Sequence, residues 1–111
     1  MDFNINTQLR LKKSFMKDKR VENLKTFNNW TRIVMIYMML VGFAERSKTG
    51  NVVVYGEGDP VPISRIGDLI NYNPEFLEYS LYALEKVNLI ETIGVEGYDA
   101  IVVATNGLFS L

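Results

Sequence analysis

The side chains that could carry chemistry are few in kind. The 111-residue chain has neither cysteine nor histidine, which removes disulfides, thiolate nucleophiles, Cys/His zinc centres and imidazole acid–base catalysis. Carboxylates and lysines are what is left. Glu75 and Glu78 stand three apart on a predicted helix, but on its open face, where nothing supplies the desolvation that a general acid uses. Gly56-Glu57-Gly58-Asp59 lacks the Lys and Ser/Thr of a phosphate-cradling loop and the ligand spacing of a calcium loop, so it reads as a turn. No catalytic residue, metal site or cofactor is expected, and the chemistry to look for is that of binding.

Charge is the clearest guide to what is bound. The net charge is −1, yet residues 1–48 hold ten Lys or Arg against four acids, +6, whereas residues 49–111 hold two against nine, −7. Such asymmetry points to contact with a polyanion through the first half, or to head-to-tail self-association between halves. Folding that interleaves the two sets would instead give a mixed, solvated surface. The cations available to phosphates are Arg10, Lys12, Lys13, Lys17, Lys19, Arg20 and Lys25, then Arg46 and Lys48 after the longest apolar run. Arg65 either touches a phosphate or pairs with Asp68.

The elements that position these residues follow from periodicity. Residues 1–16 are a polar arm or edge strand anchored by Leu9, Leu11 and Phe15; Asp18 caps a helix over 17–28 with Val21, Leu24 and Phe27 on one stripe. Residues 30–46 form a helix apolar on nearly every side, which implies a central element covered all round. Its unbroken apolar run is about half the ~20 residues that a bilayer requires, so no membrane span is expected. The N-terminus lacks a signal-peptide layout, and the default location is the cytoplasm.

After that helix, residues 52–55 read as a strand and Ser64 as the cap of a short helix over 64–71. Asn73, Pro74 and Glu75 then open a helix over 74–88, since the missing proline amide has no helical partner at that position. Its inner face is Leu77, Ser80, Leu81, Leu84 and Val87. Residues 89–104 form a hairpin, and Leu108, Phe109 and Leu111 are apolar enough to pack back. A short helix, a turn, a capped helix and a hairpin make an α+β domain of winged helix-turn-helix layout, mostly helical with a C-terminal β-hairpin wing.

Wording adds to pattern. The runs Ser14-Phe15-Met16-Lys17-Asp18-Lys19-Arg20-Val21-Glu22-Asn23-Leu24, Ile36-Tyr37-Met38-Met39-Leu40, Gly50-Asn51-Val52 and Ala83-Leu84-Glu85-Lys86-Val87-Asn88-Leu89-Ile90-Glu91, in that order and spacing, resemble the N-terminal domain of phage replisome organisers over about residues 9–93. The resemblance implies a winged-helix replication-initiation domain of phage or mobile-element type. Its partners would be double-stranded DNA and replication or helicase-loading proteins, with self-association as in related primosomal proteins.

The helix after the turn would be the recognition helix, whose base-reading side chains are usually Arg, Lys, Asn or Gln. Here the outward positions are Glu75, Glu78, Tyr79, Tyr82, Glu85 and Lys86. Three carboxylates against one cation match a phosphate-lined groove poorly. Glu75, Glu78, Tyr79, Tyr82 and Glu85 therefore read as a protein-contact face, with half-burial in the core as the alternative for the two tyrosines. The same surface would serve an adaptor, inhibitor or oligomerisation module that binds no DNA.

Overall fold

The computed structural model describes residues 10–45, 47, 51–54, 58–95 and 97–110. The expected arm before residue 10, Arg46, Lys48, the strand end at Tyr55 and the packing of Leu111 lie outside the described residues.

Asp18 starts the first helix by accepting a bond from the Arg20 amide at 2.9 Å, which satisfies one of the unpaired donors at a helix start. Helix α1, Lys19–Leu24, is shorter than the expected 17–28. Phe15–Lys17 precede it as a separate 3-10 turn. At its far end Thr26 and Phe27 bond three residues back, to Asn23 and Leu24, so the chain tightens out of the helix. Asn29 then takes the left-handed conformation, φ 60°, which asparagine tolerates better than bulkier residues.

Helix α2, Trp30–Ala44, is the central element, but its enclosure is one-sided. Ile33, Ile36, Tyr37, Leu40, Val41 and Ala44 are buried at helical spacing, against helix α4 and strand β3 defined below. Val34, Met38, Met39 and Phe43 are half-buried, and Met35 is 40% exposed. The expectation of all-round burial is corrected: among the described residues α4 and β3 pack against one stripe of α2, and its opposite side reaches the surface. Among the described residues no helix is long and apolar enough to cross a membrane.

The expected strand at 52–55 is reduced to isolated bridges, Val52 to Val102 and Val54 to Pro60. Ser64 does not cap a helix. Pro62 is extended and a 3-10 turn opens at Ile63, so Ser64 falls inside that turn and α3 is only Ile66–Leu69. Helix α4, Pro74–Lys86, starts as its sequence dictates, with the Asn73 side chain accepting from the Phe76 amide at 2.9 Å and Pro74 in the first turn. Leu77, Ser80, Ala83 and Leu84 form its buried face.

Strands β2, Ile90–Val95, and β3, Tyr98–Val103, pair antiparallel from Ile90↔Val103 to Val95↔Tyr98. Strand β2 runs through Gly94 and Val95. Gly97 sits in the connection with φ +83°, a conformation that favours glycine. Residues 51–53 lie along the outer edge of β3, where the Val53 amide donates to Ile101 and the Val103 amide to Asn51. Finally β4, Phe109–Ser110, pairs antiparallel with β1, Arg10–Leu11. The architecture is α+β: α2, an edge segment, α3, a turn, α4 and a hairpin, in the order and pairing of a winged helix-turn-helix. The β1–β4 clasp is an addition to that core.

Candidate interaction surfaces

The cations predicted to meet phosphates separate into two kinds. Lys12, Lys13, Lys17 and Lys19 are exposed, and the described residues hold two ion pairs, neither of which involves them. They surround the 3-10 turn and the start of α1. Arg20 is committed elsewhere. Its Nε and Nη2 grip Asp18 in a two-bond fork at 2.9 and 3.0 Å, and Nη2 donates to the Asn106 carbonyl at 2.6 Å. The guanidinium holds the Asp18 carboxyl below its ordinary range by direct hydrogen bonding, against a smaller opposing effect of burial. Arg20 thus ties α1 to the chain before β4, which is a different task from meeting a phosphate.

Lys25 is exposed, but its ammonium donates to the Met16 carbonyl at 3.2 Å and lies 5.6 Å from the Trp30 ring centre. Arg65 pairs with Asp68 at 2.6 Å, both side chains open to solvent. Arg10 lies in β1. Arg46 and Lys48 are outside the described residues.

On α4 the predicted contact residues also divide. Glu75, Glu78 and Glu85 are exposed, Tyr82 is 55% exposed and Lys86 lies 5.9 Å over its ring. Glu85 accepts from the Thr92 hydroxyl at 3.1 Å, linking helix to hairpin. Tyr79 belongs to the structure instead. It packs edge-on to Phe27 with ring centres 6.2 Å apart, neighbours Phe76 at 5.9 Å and donates to the Asn28 carbonyl at 3.3 Å.

That packing extends to a residue sequence reasoning passed over. Arg32, at the start of α2, lies 5.4 Å from the Tyr72 ring centre and 4.7 Å from that of Phe76, and its Nε donates to the Tyr72 hydroxyl at 3.1 Å. This cation–π stack joins the first turns of α2 and α4. Its sequence signal is faint, an arginine two residues into an otherwise apolar helix.

Among the described residues no group of three or more acids is placed to hold a metal ion, and no buried side-chain polar atom lacks a partner. Among the described residues the buried titratable side chain is Tyr37, whose hydroxyl donates to the Ala104 carbonyl; burial pushes its phenol well above the ordinary range. No protein-family model, curated protein or solved structure matches this chain.

Proposed function

We propose that this chain is a non-catalytic, DNA-binding replication-initiation domain of the phage replisome-organiser kind, acting in the cytoplasm of a host cell. Double-stranded DNA is held by its phosphates along the segment around α1, while the acidic face of α4 is turned to replication or helicase-loading proteins. The observation that carries this reading is the set of exposed ammonium groups of Lys12, Lys13, Lys17 and Lys19, none of them in an ion pair among the described residues. Unpaired surface cations can release counterions from a duplex, and that release is the main source of sequence-independent affinity.

The test is a fluorescence-anisotropy titration of duplex DNA at several salt concentrations. Four phosphate contacts give a slope of roughly −3.6 in log K against log salt, so affinity falls about a hundredfold from ~50 to ~200 mM. Replacing the four lysines together by glutamine should leave the fold intact and remove most of that slope. Unchanged affinity in the folded variant overturns the assignment.

The acidity of α4 favours a second reading, a winged-helix adaptor or inhibitor without DNA binding, since Glu75, Glu78 and Glu85 repel a phosphate-lined groove. That reading gives no DNA binding even at low salt. Light scattering at several protein concentrations reads self-association through the unlike halves in the same samples.

A further inference from the structure

Between the start of α3 and the first two turns of α4 the surface is hollow. Ile63, Gly67, Tyr72, Pro74, Leu77 and Leu81 help to line a groove of about 570 Å³. Ile63, Tyr72 and Leu81 are only half-buried and Pro74 is exposed, so apolar surface faces solvent along the trough.

Gly67 lies in the wall of the groove. It lies inside α3, outside the left-handed region, and a Cβ built there meets nothing within 4 Å. Neither backbone conformation nor a close neighbour within the chain accounts for glycine, which weakens a helix relative to alanine. What its missing side chain does provide is room at the groove wall for a group from outside.

The charges around the groove select what enters. Glu78 lines it and Glu75 is exposed one turn earlier. The nearby cations are engaged: Arg65 with Asp68 at 2.6 Å, and Arg32 with the rings of Tyr72 and Phe76. An apolar ridge flanked by lysine or arginine is matched on both counts, by the apolar trough and by Glu75 and Glu78.

We propose that this groove docks a short amphipathic helix of a partner protein, seating apolar side chains spaced three and four apart between α3 and α4 while its flanking cations meet Glu75 and Glu78. The proposal deepens the protein-contact half of the reading above, on which it rests, and is independent of the DNA-contact half.

The probe is a 16-residue helical peptide with leucines on one stripe and lysine and alanine elsewhere, titrated into the 15N-labelled chain. Two controls accompany it, one with the lysines replaced by glutamate and one with the leucines scrambled. Amide shifts should concentrate at residues 63–67 and 71–81, with the basic amphipathic peptide alone. Gly67→Gln, which fills the wall without touching the core, should weaken binding at least tenfold at unchanged secondary structure, as should Glu75→Lys combined with Glu78→Lys. No shifts, shifts elsewhere, equal binding of either control, or full affinity in Gly67→Gln overturns the proposal. The same Gly67→Gln protein is titrated with duplex DNA. Parallel loss of peptide and DNA binding overturns the proposal by making the groove part of the DNA surface, whereas loss of peptide binding alone upholds it. An absence of duplex binding by the parent chain removes the DNA reading and leaves the peptide result standing.

Discussion

Asp18 combines two tasks in one carboxylate. It caps α1 and it holds Arg20, which in turn reaches the Asn106 carbonyl. Because the folded state lowers its pKa, the carboxylate adds stability above the unfolded value near 4, and this contribution disappears as pH falls through the folded value. Asp18→Asn keeps a capping oxygen and loses the charge. Its destabilisation, about 1 kcal/mol at pH 7, should therefore shrink as pH falls through the folded value, as urea midpoints at pH 7 and across the acid range will read. Tyr37 runs the other way. Its folded pKa is raised by burial, so its contribution is complete below the unfolded value of about 10 and is lost as pH rises beyond it. Tyr37→Phe should cost about 1–2 kcal/mol at pH 8 by leaving the Ala104 carbonyl unpaired, and should flatten the alkaline limb of a melting-temperature profile. The cap was legible in the sequence because it acts over two residues. Arg20 was not, since its second partner lies 86 positions away and residue type alone places it with the solvent-facing cations.

Elements were legible where their signals are local. Asn73-Pro74 opens α4 as read, and the hairpin follows as read, because capping and turn chemistry act within four residues. Ser64 failed for the same reason in reverse: Pro62 starts a 3-10 turn two residues earlier than a serine-capped helix would begin. In α2 a nearly continuous apolar run concealed which stripe is buried, and only the packing of α4 and β3 selects the Ile33–Ile36–Tyr37–Leu40 side. The groove beside α3 had no local signal except Gly67. That residue gives a prediction at this scale: Gly67→Ala should stabilise the fold by about 0.4–1 kcal/mol, a rise of a few degrees in calorimetric melting temperature, because helical conformation and open space both admit a methyl group.

For the molecule as a whole, the division of charge was visible in the chain, and the fold keeps exposed lysines around α1 and exposed glutamates on α4. The way the ends meet was only half visible. A short strand near residue 10 and a returning apolar end were each expected, but their pairing depends on backbone partners about a hundred positions apart, which no periodicity records. That clasp has a mechanical consequence. Arg10 faces Ser110 and Leu11 faces Phe109 in antiparallel register, so tension applied at both ends peels the ribbon open one bond at a time instead of shearing it. In an optical trap the ends should part at low force while the hairpin and α4 still hold. The stretch carrying the lysines would then swing on its tether, and strain on the flanking chain would alter its reach before the winged core yields.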